Sequence, residues 1–375
     1  MSSDRYLHQL PFNSLFKKES TRDILTLNPI INPVRAEAEY VKVCVYDYKD
    51  GDLQEYDLAD VQETVKFKDN NHVSWINIEG LRKSDVETVC SLFNIHPLLA
   101  EDILSMNQRP KMDDVEGILF CLLNMLYYNE GNCTVELEQI SIVLGSGFVI
   151  TFQEDASRDV FNPIRDKLKI ANSKIRQRGS DYLCYALIDM IVDNYFIVME
   201  KLGEHIETLE EEVLKANSPR SLARINQVRK ELIVLKRNVA PVRELVNGLL
   251  RSESELLEER TIKYFKDVYD HIVQAFDLTE SYRDMMMSLQ DMYINNVNLK
   301  MNEIMKLIAI VTCLMAPATV IGGIFGMNFE RLPFLHNRYG FFIAVALMLI
   351  IPVWMLWGFK KRGWFDNLPK YRSVK

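Results

Sequence analysis

The residues best placed to act on a ligand lie near the C-terminal end of the chain. Positions 305, 308, 312, 316, 319 and 323 are spaced 3, 4, 4, 3 and 4 apart, which puts them on one face of a helix. They hold Met305, Ile308, Thr312, Ala316, Thr319 and Gly323, a face that turns from large and apolar to small and polar along the chain. Such a stripe serves either close helix packing or the wall of a polar path, and taken alone it leaves both open. Enzyme chemistry has no constellation to carry it. The 375 residues contain no Gly-rich phosphate loop, no Ser/His/Asp arrangement and no HExxH motif, and the six histidines are dispersed. The chain is therefore read as not an enzyme. Cys44, Cys90, Cys121, Cys133, Cys184 and Cys313 lack CxxC spacing, as expected of small apolar residues in a reducing compartment.

The helix carrying the stripe runs through 19 residues without a formal charge, 307 to 325, and 20 more follow from 340 to 359. At 1.5 Å per residue each is long enough to cross a hydrocarbon core of about 30 Å. Tyr339, Phe341 and Phe342 open the second run and Trp357, Trp364 and Phe365 close it, where the two water interfaces of a membrane would fall. Charge is distributed just as unevenly. Of a net -8, residues 304 to 359 contribute +2 and residues 360 to 375 contribute +5, which leaves -15 on residues 1 to 303. The basic tail after the second span, with Lys300 and Lys306 before the first, predicts that both termini are cytoplasmic in a cell (inner or plasma) membrane protein that crosses more than once. Residues 1 to 20 lack the apolar core of a signal peptide, so the acidic part is expected to stay inside. Its negative charge also speaks against nucleic acid as a partner.

The acidic part is expected to begin with an arm at 1–35, followed by an α/β domain at 36–155. Alternation at Val41, Val43 and Val45 and apolar runs at 73–78, 118–128, 138–144 and 148–152 read as strands. Ser84 and Glu87 have capping-box spacing for a helix through Phe93, and Pro97 suits the first turn of the next. From 156 to 252 the pattern becomes helical. One helix over 181–216 ends in the acidic run Glu204, Glu207, Glu210, Glu211 and Glu212, read as a solvated face, and Ser218-Pro219 opens its hairpin partner. No proline interrupts 253–316, so a stalk helix at 253–325 is expected to continue into the first span. A helix of about 100 Å, at 1.5 Å per residue, needs neighbours and favours an oligomeric bundle. An outer loop at 326–339, a second span at 340–359 and a basic tail at 360–375 complete the plan.

Directly after the first span stands Gly326-Met327-Asn328, within Phe325-Gly326-Met327-Asn328-Phe329-Glu330. With two C-terminal spans and the Lys360-Lys361-Arg362 tail, this resembles the CorA family of divalent metal transporters. The likeness extends to His96-Pro97-Leu98, Glu101-Asp102-Ile103-Leu104, Asn107-Gln108-Arg109-Pro110-Lys111, Tyr264-Phe265 and Asp267-Val268-Tyr269-Asp270-His271, and so covers about residues 40 to 365. The resemblance implies a funnel-shaped homopentamer in membrane lipid that carries Mg2+, often with Co2+ and Ni2+. Gly326, Met327 and Asn328 would form its selectivity filter, Thr312, Ala316, Thr319 and Gly323 its path, and Met305 with Ile308 an apolar constriction. A ring of neutral Asn328 amides suits an ion that sheds water reluctantly, where carboxylates would trap it. The resemblance also implies that Glu101, Asp102, Asp189 and Asp267 bind regulatory Mg2+ between neighbouring subunits and hold the channel closed.

Two features depart from the family pattern. Ala316 replaces a methionine often found in the inner half of the pore, so the expected apolar gate is either shorter or lies mainly at Met305 and Ile308. Leu332-Pro333-Phe334-Leu335 replaces Met-Pro-Glu-Leu and leaves Glu330 as the loop's only carboxylate, so a cation-concentrating ring at the mouth is expected to be weaker. Readings beside a Mg2+ channel are a Zn2+ or Co2+ transporter of the same fold, and a membrane-anchored helical scaffold or signalling protein.

Overall fold

The computed structural model describes residues 37–49, 52–106, 108–155, 158–215, 219–327 and 338–364. The expected arm, Asn328 with the outer loop through 337, Ser218 and the tail beyond Trp364 lie outside them. The chain divides into two compact units, Met1–Leu289 and Gln290–Lys375.

The first unit is built on a seven-stranded sheet. Its strands are β1 (Lys42–Lys49), β2 (Asp52–Leu58), β3 (Val73–Glu79), β4 (Lys111–Val115), β5 (Ile118–Asn129), β6 (Thr134–Gly145) and β7 (Phe148–Gln153), in the order β2-β1-β3-β7-β6-β5-β4. Every pairing is antiparallel except β3 with β7, where Ser74 stands opposite Phe148 and Glu79 opposite Gln153. Glu116 and Gly117 both have positive φ, 53° and 76°, as the two-residue hairpin between β4 and β5 demands. Strands β5 to β7 are apolar on both faces because both faces are covered. On one face Ile76, Ile78, Phe120, Leu122, Ile150 and Phe152 form a core with helices α1 (Lys83–Leu92) and α2 (Pro97–Leu104) and a short 3-10 turn at Val61–Phe67. Helix α3 (Asn162–Lys169) brings Arg165 to the other face, over the rings of Trp75 and Tyr46.

Two long helices cover the rest of that second face. Helix α4 (Ser180–Lys215) packs on β5, β6 and β7, and α5 (Pro219–Arg251) packs on β4, β5 and β6 and against α4. The Asn124 amide on β5 donates to Asn238 Oδ1 on α5 at 2.8 Å, and the Tyr195 hydroxyl on α4 donates to the Asn124 carbonyl at 2.7 Å. The α/β domain and the long helices after it are thus as expected. The capping box is not. Helix α1 starts at Lys83 with Arg82 at the cap and no side-chain cap hydrogen bond, which leaves Ser84 inside the first turn, where its hydroxyl donates to Asp85.

Helix α6 (Glu259–Phe325) starts in the first unit and ends in the second, and α7 (Gly340–Lys361) completes the second unit. Pro317 and Pro352 lie inside these two helices. Among the described residues α4, α6 and α7 are long and apolar enough to cross a membrane, yet 56% of the apolar window of α4 is buried, against 6% and 11% for the other two. Helix α4 spends its apolar face on the sheet through Leu187, Ile191 and Tyr195, all buried. In the second unit Val311, Met315, Val320, Phe341, Leu349 and Val353 remain exposed, a surface suited to lipid or to other copies of the chain. Against one another, α6 and α7 close an apolar groove lined by Ile321, Ile324 and Phe325 on one side and Ile343, Ala344 and Leu347 on the other.

Candidate functional site

In the second unit, α6 carries the stripe along one continuous helix. Met305, Ile308, Thr312, Ala316, Thr319 and Gly323 are all exposed. The Thr312 hydroxyl donates to the Ile308 carbonyl at 2.9 Å and the Thr319 hydroxyl to the Met315 carbonyl at 3.0 Å. With its hydrogen committed to the backbone, each hydroxyl turns lone pairs outward and can act only as an acceptor. The helix ends at Phe325. Gly326 N–H then donates to the Gly322 carbonyl at 2.9 Å and Met327 N–H to the Ile324 carbonyl at 3.3 Å. A Cβ at Gly326 would sit 3.1 Å from that Gly322 oxygen, so the close turn favours glycine. Asn328, the next residue, is outside the described residues. At the other end of the span Lys306 lies 5.9 Å from the Trp364 ring, and Lys361 lies 5.4 Å from that of Trp357.

The four predicted acids fall into two groups within one chain. Helix α2 presents the first group. His96 caps it, its Nδ1 accepting from Leu98 N–H at 3.2 Å, and Pro97 supplies the first turn, as fits its fixed φ and missing N–H. Glu101 is exposed and Asp102 half-buried. Asp102 Oδ2 accepts from Lys111 Nζ at 2.6 Å, and Asp113 lies 3.3 Å from the same ammonium. Burial opposes the charge on Lys111, but the hydrogen bond and charge of Asp102 outweigh it and raise its pKa above the usual lysine value.

Asp189 on α4 and Asp267 on α6 make the second group. Asp189 is half-buried and accepts from the Tyr185 hydroxyl at 3.2 Å. Its carboxyl is pushed above the usual range by burial first and by the Asp193 charge next, with Asp267 adding to the same effect, against the Tyr185 hydrogen bond and His271. Tyr182 meets Tyr264 edge-on, and Tyr185 meets Tyr264 at a tilt and Phe265 edge-on, ring contacts that join α4 to α6. Sequence reasoning gave no ligand role to two neighbours, Asp193 and His271, although His271 closes the family-like run that begins at Asp267. One ligand atom each from Asp189, Asp193 and His271 lies within 4.8 Å of the others. The signal was available: Asp189 with Asp193, and Asp267 with His271, are i,i+4 pairs, each confined to one helix face.

Comparison with known proteins places these features in a family. Residues 70–361 match the family model described as CorA-like Mg2+ transporter protein. The chain is 38% identical, over 87% of its length and 93% of the relative's, to the cobalt/magnesium transport protein CorA of Thermotoga maritima. It is 31% identical to the putative metal ion transporter YfjQ of Bacillus subtilis, over 78% of this chain and 90% of that one. The complete structure of the CorA magnesium transporter from Methanocaldococcus jannaschii superposes with a TM-score of 0.71, covering 87% of this chain and 100% of that one at 23% identity, and so shares the fold. A family match across most of the chain, joined to a relative of this identity and coverage, establishes that the chain belongs to the CorA-like Mg2+ transporter family.

Proposed function

We propose that the protein is a homopentameric Mg2+ channel through which hydrated divalent cations, Mg2+ and with it Co2+, enter passively down their electrochemical gradient. In this reading α6 and α7 cross the cell membrane with both termini in the cytoplasm, while α4 stays folded on the sheet. The carrying observation is the face from Ile308 to Gly323. On an otherwise apolar helix surface it offers hydroxyl oxygens whose hydrogens are already bound to the backbone. Such oxygens accept from the water shell that Mg2+ gives up reluctantly. Two spans per chain cannot enclose a water-filled path, so several copies line one axis, each contributing α6. Gly326 and Met327 turn the chain so that Asn328 closes the outer end with a ring of neutral amides, and a ring of Met305 and Ile308 stops conduction by dewetting. That a relative 38% identical is a cobalt/magnesium transport protein supports the choice of ions.

Control rests on the two acidic groups. Their placement on α2 and on α4 with α6 suits an interface in which Glu101 and Asp102 of one chain face Asp189 and Asp267 of the next. A bridging Mg2+ relieves the repulsion and stabilises the closed state by mass action, and falling cytosolic Mg2+ releases it. The test is Mg2+ flux into proteoliposomes holding the full chain. Asn328→Ala is expected to abolish it while the protein still assembles, and undiminished flux would sink the channel assignment.

A further inference from the structure

The group at Asp189, Asp193 and His271 differs in kind from the other acids because it contains an imidazole. Asp189 and Asp193 are one turn apart on α4, and His271 comes from α6, one turn after Asp267. His271 Nδ1 is shut off from solvent and has no hydrogen-bond partner. It points toward Asp193 Oδ1 at 3.9 Å, beyond hydrogen-bond reach. An imidazole nitrogen and two carboxylates thus stand within 4.8 Å of one another with no hydrogen bond between the ring and Asp193. Like charges at i,i+4 destabilise a helix, and Asp267 adds a third negative charge felt by Asp189, so even a protonated imidazole leaves the group net negative. Beside it lies a cavity of about 270 Å³ whose mixed wall sets Asp189 and Asp193 among Ile164, Met190 and the lysines Lys167 and Lys174.

We infer that Asp189, Asp193 and His271 form an intrasubunit site for a borderline transition-metal dication, the Co2+, Ni2+ and Zn2+ class, and that it discriminates against Mg2+. The geometry is close to that of a three-ligand site. Metal–ligand bonds of about 2.0–2.1 Å in a tetrahedral arrangement put ligand atoms about 3.3 Å apart, so the atoms now within 4.8 Å need to close by at most about 1.5 Å. Rotations of two aspartates and one ring supply that. Imidazole suits Co2+, Ni2+ and Zn2+, whereas Mg2+ demands near-octahedral oxygen and keeps its waters. The bound ion would tie α4 to α6 within one chain. This inference rests on Asp189 being a cation ligand, as in the proposed function, but requires neither an intersubunit interface nor a pore.

Binding is therefore measured without flux, on the full-length protein in detergent with substoichiometric Co2+. X-ray absorption is expected to show an imidazole nitrogen bound to Co2+ in the native chain and to lose it in His271→Gln. Titration calorimetry with Co2+ and, separately, Mg2+ gives the second readout. Outer-shell partners of metal ligands are worth about 10–100-fold, so loss of a direct ligand in His271→Gln or in Asp193→Asn is expected to weaken Co2+ by about tenfold or more. Mg2+ affinity is expected to stay within about twofold in His271→Gln, since oxygen donors hold that ion. Co2+ affinity unchanged in both variants, or Co2+ and Mg2+ falling together in His271→Gln, would overturn the inference. Retained flux in Asn328→Ala would instead overturn the channel reading and leave this measurement as it stands.

Discussion

The Lys111 ammonium competes with any cation for Asp102. Its Nζ lies 2.6 Å from Asp102 Oδ2, with Lys111 35% exposed and Asp102 18% exposed. A hydrogen bond between charged groups in a dry site is worth about 1.5–3 kcal/mol, and screening at this exposure reduces it to about 1 kcal/mol. A divalent ion that uses Asp102 must displace the ammonium or share the carboxylate with it. Lys111→Met keeps an unbranched stem of similar reach and removes the competitor. Because 1.4 kcal/mol corresponds to tenfold, cation affinity at Asp102 should rise about fivefold. The assay is the internal Mg2+ concentration that half-closes flux in proteoliposomes, expected to fall about fivefold by the same conversion. A double-mutant cycle isolates the pair, because Lys111→Met should do nothing further once Asp102→Asn has removed the ligand. A half-closing concentration that is unchanged or higher in Lys111→Met would refute the competition, as would an equal shift in the Asp102→Asn background.

Two further outcomes follow from hydrogen bonding and burial. Thr319→Val keeps the shape of the side chain but removes the outward-facing acceptor, so flux should fall about fivefold for a loss of about 1 kcal/mol, while Thr319→Ser retains it; equal flux in both variants would count against the acceptor role. His205, with Tyr128 at its Nδ1 and Arg224 at its Nε2, has its pKa lowered by burial first and by Arg224 next, against Glu212. Its folded pKa therefore lies below the unfolded value of about 6.5, and the unfolded chain binds more protons between the two. This contribution to stability is whole above about pH 6.5 and is lost as pH falls through the folded value, so thermal unfolding of His205→Gln should depend less on pH in that window. A pH dependence as steep as the native chain's would argue otherwise.

The parts of the fold that were legible are those where burial dictates composition. Strands β5, β6 and β7 are covered on both faces and read as apolar runs, and α4 and α6 announce themselves by length. The edge strands β2, Asp-Leu-Gln-Glu-Tyr-Asp-Leu, and β4, Lys-Met-Asp-Asp-Val, were missed because an edge tolerates charge, and charge there protects against unwanted pairing. The capping-box reading of Ser84 and Glu87 failed because the spacing does not say which residue is extended, and the cap falls on Arg82. At the sites, the 3.6-residue period exposed the Thr312 and Thr319 face without help, since both lie on one helix. Asp193 and His271 stayed hidden because their proximity comes from the packing of two helices far apart in sequence, and neither i,i+4 pair alone differs from an ordinary solvated face.

The lone parallel pairing of β3 with β7 governs the order in which the sheet can be completed. Strands β2, β1 and β3 form one antiparallel group with β1 at its centre, β4 to β7 form an antiparallel meander, and the register from Ser74↔Phe148 to Glu79↔Gln153 is the seam between them. Each group closes through contacts nearer in sequence, but the seam joins segments separated by most of the domain and carries the loop-closure entropy of that separation. As the chain leaves the ribosome, the β3 edge, including Ile76 and Ile78, has no strand partner until residue 153 has emerged. Synthesis therefore passes through an interval in which half a sheet presents an open, apolar edge, and the burden on chaperones falls there, before α6 and α7 have been made.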